Sequence, residues 1–124
     1  MELKSCKKQY MKDTHRAVPP EDTLKIVKEK LAVCGITRVA DITDLDRLGI
    51  PVFSAIRPNA SLGSVSVYNG KGVSKTEAEV SAIMEGIERY SSEINEEIIM
   101  DASLSEIEGK VNFLSPYELN LPAP

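Results

Sequence analysis

The run Gly70-Lys71-Gly72-Val73-Ser74-Lys75-Thr76-Glu77-Ala78-Glu79-Val80-Ser81-Ala82-Ile83-Met84-Glu85-Gly86-Ile87-Glu88-Arg89-Tyr90 decides how this chain folds. It reads as a glycine-rich turn that feeds a long two-faced helix over residues 75 to 97. At about 100° per residue, Thr76, Val80, Ile83, Ile87, Tyr90 and Ile94 fall on one stripe. That stripe is apolar enough to bury. Ser81, Glu85, Glu88 and Ser92 lie on the opposite side, at i, i+4, i+7 and i+11.

A plain solvent face carries long charged side chains of mixed sign, with Glu to Lys pairs at i, i+4. Here the neighbours of Glu85 and Glu88 are Ala78, Ser81, Ala82 and Gly86, and only Arg89 brings positive charge nearby. Two carboxylates at i, i+3 with little compensation repel each other by a few tenths of a kcal/mol, roughly. Small neighbours would let a ligand come close to the helix. Paired carboxylates beside a hydroxyl suit a hard divalent cation such as Mg²⁺, which takes oxygen ligands and bridges to nucleotide phosphates. The same spacing also fits an ordinary acidic surface helix.

Working outward, Pro19-Pro20 closes a polar arm and starts a helix whose first turn holds Glu21 and Asp22, suited to the helix dipole. Leu24, Val27, Leu31 and Cys34 continue that helix as a buried stripe, and Gly35 is its natural stop. Residues 36 to 42 and 50 to 57 are short and rich in Val and Ile, and read as strands. Ser64-Val65-Ser66-Val67-Tyr68 alternates and reads as a third strand, ended by a turn at Asn69-Gly70. Beyond Asp101 there is little periodicity. One helical turn fits at Ser115-Pro116, and Leu121 to Pro124 reads as extended. The expected fold is α+β: a small, mainly antiparallel sheet of three or four strands with two helices on one face. The expected organisation is an arm over 1–19, an α+β core over 20–100 and an irregular extension over 101–124.

Composition narrows the function classes. With 124 residues, the chain has room for one domain with a real core, but not for two. A net charge of −4 gives no electrostatic footprint for nucleic acid or an anionic membrane. No apolar run approaches the roughly 20 residues of a membrane span. Residues Met1 to Lys8 do not read as a signal peptide, since no apolar core follows. Cys6 and Cys34 lack Cys-x-x-Cys spacing and read as free thiols of a reducing, cytoplasmic compartment. His15 has a near-neutral pKa suited to general-base work, but its place in the polar arm better fits an exposed, idle histidine. Arg57, before Pro58, ends a strand and faces either a substrate or an acidic neighbour.

Two ordered motifs carry a family resemblance. One is Gly-Lys-Gly followed by Ala-x-x-Ser-Ala-x-x-Glu-x-x-Glu-Arg, over residues 70 to 89. The other is the upstream run from Gly35 to Val52, followed by Ala55-Ile56-Arg57-Pro58. Together they resemble the YcaO family over residues 8 to 92, the N-terminal third of such a domain. The resemblance implies an enzyme that uses ATP to phosphorylate a peptide-backbone amide oxygen, which a nucleophile then replaces, giving azolines, thioamides or amidines. It implies that Ser81 contacts the nucleotide and that Glu85 and Glu88 bind Mg²⁺ bridging the phosphates. Lys8 matches the family's N-terminal lysine near the nucleotide, and Lys71 in Gly-Lys-Gly could face phosphate. No catalytic residue is assigned.

This chain departs from the family in two ways. Met84 stands where members often carry lysine. A second acidic motif, its arginine and a Pro-rich C-terminal end are absent from the chain. The resemblance therefore implies a missing C-terminal half or a second subunit and an inactive chain in isolation, and the open sheet edge of such a fragment implies a homo-oligomer. The wording around Gly35 to Val52 is similar to the archaeal members linked to thioamide formation on a glycine of methyl-coenzyme M reductase. Such members work with a TfuA-type sulfur partner, on a peptide or protein substrate. The contrasting reading is a non-catalytic binding or scaffold domain with a vestigial nucleotide face.

Overall fold

A computed structural model of the protein describes residues 4–11, 14–94 and 99–119. Chain contacts divide it into two compact units, 1–93 and 94–124. In chain order the first unit holds β1 (Gln9–Met11), β2 (Thr14–Arg16), α1 (Pro20–Lys28), β3 (Arg38–Asp41), β4 (Val52–Ile56), β5 (Val67–Lys71) and α2 (Lys75–Ser91). The second carries a single helical turn, α3 (Leu104–Ile107), and a 3-10 turn at Pro116–Glu118. Residues 95 to 97 of the expected long helix, and the tail from Leu121, lie outside the described residues.

The architecture is α+β, as the patterning implied. Strands β3, β4 and β5 form one antiparallel sheet in that order. The helix α2 packs on β4 and β5, and α1 packs along α2. Val27, Cys34, Ile36, Ala55, Ala82 and Ile83 are the buried centre, with Leu24, Leu31, Val39, Phe53 and Ile87 packed around it. A second, two-stranded antiparallel sheet pairs β1 with β2 inside the segment read as an arm. These strands have three residues each, too short to show alternation in sequence. Among the described residues no helix is long and apolar enough to cross a membrane.

Three local readings change. First, α1 ends at Lys28, and Leu31 and Cys34 reach the core from the turns that follow, which close at Gly35 with φ of 69°. Second, the third strand lies later than its alternation suggested. Asn69-Gly70 sits inside β5 rather than in a turn, because Asn69 Oδ1 accepts a hydrogen bond of 2.6 Å from Ser54 Oγ on β4. Gly70 is required there by its neighbour: a Cβ at this position would lie 2.0 Å from the Ala82 nitrogen and 2.5 Å from the Ala78 oxygen. Third, the small residues of α2 do not open its acidic side. Ala78 and Ala82 are fully buried and Gly86 is buried, and they form the face by which α2 meets the sheet.

The helix therefore buries a wide arc that runs from Ala78 and Ala82 through Gly86 and Ile83 to Val80. Tyr90 is 39% exposed, and Ile94 lies beyond the helix end and is 80% exposed, so the apolar stripe stops short of its expected length. A capping box starts α2: Ser74 accepts from the Glu77 N–H, and Glu77 reaches back to the Ser74 N–H. Arg16 on β2 lies 3.7 Å from the buried Glu77 carboxylate, and Lys28 on α1 lies 2.9 Å from Glu79.

The close approach at Gly70 gives a direct test by urea unfolding. Gly70→Ala should lose stability at the upper end of the 1–3 kcal/mol typical of overpacking, roughly, because its new methyl meets helix backbone. Gly86→Ala should be near neutral. Its methyl meets the movable end of Ile36 at 2.9 Å, and alanine gains about 1 kcal/mol of helix propensity. Ile83→Ala, at the buried centre, should lose about 2–5 kcal/mol. Equal stability of the two glycine variants would contradict this packing.

Candidate functional site

The carboxylate side of α2 points away from its sheet contact. Ser81 and Glu88 are exposed and Glu85 is half-exposed. Glu85 lies 3.6 Å from Arg89, one turn on. Among the described residues the Glu88 carboxylate has no hydrogen bond or ion pair. The three side chains form a ridge because successive steps of four and three residues return to nearly the same helical angle.

Two clefts flank this ridge. The first, of about 440 Å³, lies between β2, the end of β5 and the first half of α2; Arg16, Lys71, Glu77, Ser81 and Met84 line it. The second, of about 520 Å³, lies between the Gly63–Val65 segment, β5 and the second half of α2; Tyr68, Asn69, Glu85 and Arg89 line it. The structure thus brings Ser81 and Lys71 into one cleft and places Glu85 in the other. Glu88 and Lys8 line neither, and Lys8 lies exposed just before β1. Lys71 belongs to β5, and the Gly72 N–H donates to the Pro51 carbonyl, so this part of Gly-Lys-Gly is paired backbone rather than an open loop of N–H groups.

Sequence reading missed Arg16 and Thr14, which the β1–β2 hairpin brings to the Ser81 cleft. No spacing signal links them to residue 81. They arrive through tertiary contact, marked only by the complementary charge of Arg16 and Glu77. His15 on the same hairpin is exposed and stacks edge-on against Tyr10, with centroids 5.4 Å apart. Cys6 is exposed and Cys34 buried, both free.

Fixed charges anchor both ends of α2. At its start, Lys75 Nζ donates to Asp41 Oδ2 at 2.7 Å, while the Thr43 hydroxyl donates to Asp41 Oδ1 at 2.5 Å. These bonds lower the Asp41 pKa from 3.8 to about 2, with Lys75 the larger cause. Just past the helix end, Glu93 accepts a hydrogen bond from Arg57 Nη2 and another from the Ser61 N–H at 2.9 Å. Arg57 and then Ser61 lower the Glu93 pKa from 4.5 to about 2. Arg57 thus faces an acidic neighbour. Among the described residues no three His, Cys, Asp or Glu side chains cluster as a closed metal cage. The ridge suits a cation that keeps other ligands, as Mg²⁺ does when one or two carboxylates share it with water and phosphate oxygens.

Comparison with known proteins follows these same residues. The YcaO cyclodehydratase family model, whose description includes ATP and Mg²⁺ binding, matches residues 69–124. A protein of Methanothermobacter thermautotrophicus is 49% identical over 107 residues, covering 86% of this chain and 27% of that protein. A protein in the tfuA 3′ region of Rhizobium leguminosarum bv. trifolii is 44% identical over 79 residues, covering 64% of this chain and 18% of its own length. Among solved structures, YcaO from Methanopyrus kandleri bound with AMPPCP and Mg²⁺ superposes with a TM-score of 0.56 at 35% identity, covering 69% of this chain and 23% of that one. The chain spans between 18% and 27% of the length of these proteins.

The two anchors give a pH signature. Both carboxylates have folded pKa values of about 2, below their ordinary 3.8 and 4.5. Their contribution to stability is present above about pH 4.5 and is lost as pH falls toward 2. Thermal melts across that window should show a falling Tm, and Asp41→Asn with Glu93→Gln should flatten the slope. An unchanged slope in the double variant would show that other carboxylates govern acid unfolding.

Proposed function

Because the chain belongs to the YcaO family, we propose that it forms part of an ATP-dependent enzyme that phosphorylates a peptide-backbone amide. The α2 ridge would hold the metal and nucleotide. The observation that carries this reading is the ridge itself: Ser81, Glu85 and Glu88 recur at i, i+4 and i+7 along α2, Ser81 and Glu88 exposed and Glu85 half-exposed beside β5, with the Glu88 carboxylate unpaired among the described residues. The M. kandleri YcaO, bound with AMPPCP and Mg²⁺, supports this choice of ligands.

In this reading Glu85 and Glu88 supply the two protein carboxylates, and the Ser81 hydroxyl hydrogen-bonds the nucleotide. Lys71 and Arg16, in the same cleft as Ser81, present positive charge to phosphate. Lys8, exposed just before β1, would have to reach toward the nucleotide from outside both clefts. Mg²⁺, when bound, supplies positive charge that offsets the charge on the transferring phosphoryl group. The substrate amide oxygen attacks the γ-phosphorus, the bond from that phosphorus to the β–γ bridging oxygen breaks, and ADP departs. A nucleophile then attacks the activated carbon and expels phosphate. A sulfur donor makes a thioamide by this route, and a neighbouring side-chain nucleophile makes an azoline.

The relative in the tfuA 3′ region supports a TfuA-type partner, and with it a thioamide reading; the resemblance of the Gly35 to Val52 run alone suggests a glycine of methyl-coenzyme M reductase as the candidate substrate. Since the match spans only 18% to 27% of these relatives' length, in this reading a C-terminal part or a second subunit completes the site. One observation favours a second reading, a non-catalytic scaffold. Met84, where many members have lysine, lines the Ser81 cleft and is 41% exposed, so the cleft lacks that charge.

The test is ATP turnover by a full-length YcaO protein carrying this segment. Glu85→Gln and Glu88→Gln should each lower turnover by about 10²-fold or more. Tm should stay close to the parent's, because neither side chain fills the core. If Glu85→Gln kept full turnover and an unchanged Mg²⁺ dependence, the ridge would be an ordinary acidic surface.

A further inference from the structure

Arg57 is the most buried charged side chain among the described residues, at 3% exposure. Its guanidinium joins four parts of the first unit. Nε donates to the Cys34 carbonyl at 2.8 Å, in the turn before β3. Nη2 donates to Glu93, which also holds the Ser61 N–H of the β4–β5 connection. The plane lies over the Tyr90 ring, 5.2 Å from its centroid. Nη1 and the Tyr68 hydroxyl on β5 are both buried without a well-formed hydrogen bond among the described residues, yet the guanidinium and this hydroxyl interact, which ties Arg57 to β5 as well.

A part-buried ion pair whose guanidinium keeps one buried N–H without a well-formed hydrogen bond is a poor device for stability alone, since well-packed apolar groups of similar volume often do as well or better. Its geometry suits a different task. Tyr90 and Glu93 follow Glu88 by two and five residues. Upstream of the clamp the helix is held by the Lys75–Asp41 pair at its start, by Ala78 and Ala82 resting on Gly70, and by Ile83 and Gly86 in the core, and beyond Gly86 the clamp is its main tether. From Ala82 to Glu88 the helix rises about 9 Å, at 1.5 Å per residue. A swing of about 10° about the Gly70 contact would shift Glu88 by about 1.6 Å, when functional groups need placement within about 0.5 Å.

We propose that Arg57 is a positioning residue: by clamping Tyr90 and Glu93 to the Cys34 turn, it sets where Glu85 and Glu88 stand relative to β5. This inference rests on the reading of the ridge as a metal–nucleotide site. Arg57 lines neither of the two clefts. Lysine cannot replace it, because one ammonium on a flexible stem cannot span the Cys34 carbonyl and Glu93 while stacking on Tyr90.

The experiment uses a full-length YcaO protein carrying this segment, at least 15 °C below the Tm of each variant, roughly the margin that keeps a two-state domain folded. Free Mn²⁺ is counted by electron paramagnetic resonance with AMPPCP present, and amide exchange across α2 is followed without metal. Arg57→Lys and the milder Glu93→Gln should each weaken Mn²⁺ binding about tenfold, a figure scaled from the cost of such displacements. Both should speed exchange only in the last two turns of α2. Combining them should add little, because they break one clamp. Mn²⁺ affinity within about twofold of the parent's in both variants, on the scale of that same expected loss, would overturn the proposal even if Tm falls. A Glu85→Gln control separates the two readings. If it weakens Mn²⁺ binding while the clamp variants do not, only the positioning role fails. If it has no effect, the metal-site reading fails and takes this inference with it.

Discussion

The structure depends on one contact, the seating of α2 directly on the backbone of β5 at Gly70. No side chain separates them there: the Ala78 carbonyl and Ala82 nitrogen occupy the space a Cβ would need. That approach brings Ala78, Ala82 and Gly86 against the sheet and turns Ser81, Glu85 and Glu88 outward. It also makes β5 both the edge of the three-stranded sheet and a wall of both clefts. A side chain at Gly70, which would meet helix backbone, would lift the helix and re-aim the ridge with it.

Electrostatics divides α2 into anchored ends and an open middle. Lys75 is tied to Asp41 at the start, and Glu93 to Arg57 just beyond the end. Both acids are held well below their ordinary pKa, so each remains charged wherever the protein is folded near neutrality. Between these anchors, Glu85 has only a long contact to Arg89, and the Glu88 carboxylate is unpaired among the described residues. The uncompensated charge therefore lies on the exposed face of a helix whose other acids are paired.

Much of this was readable from residue order, because periodicity reports which side of an element is buried. The α+β class, the antiparallel sheet, the buried Val27 and Cys34, and the outward Ser81 and Glu88 all follow from spacing. The small residues misled. Ala78, Ala82 and Gly86 read as room for a ligand beside the acids, but they are the room that β5 needs. Asn69-Gly70 misled for a related reason: a glycine required by close packing has the same signature as one required by a turn. The pairing of β1 with β2 was out of reach because its strands are too short to show alternation, and that of Arg57 with Glu93 because it joins residues distant in sequence.

The central claim is that the Ser81 side of α2 faces a bound nucleotide and metal while the Ala82 side faces the sheet. Alkylation of single cysteines tests this in a full-length YcaO protein carrying the segment, with the exposed Cys6 replaced by serine and the buried Cys34 kept. Ser81→Cys should react readily and be protected by Mg²⁺ with AMPPCP, while Ala82→Cys should stay unreactive in the folded protein. Equal reactivity at the two positions, or a Ser81→Cys rate indifferent to Mg²⁺ and AMPPCP, would contradict the account.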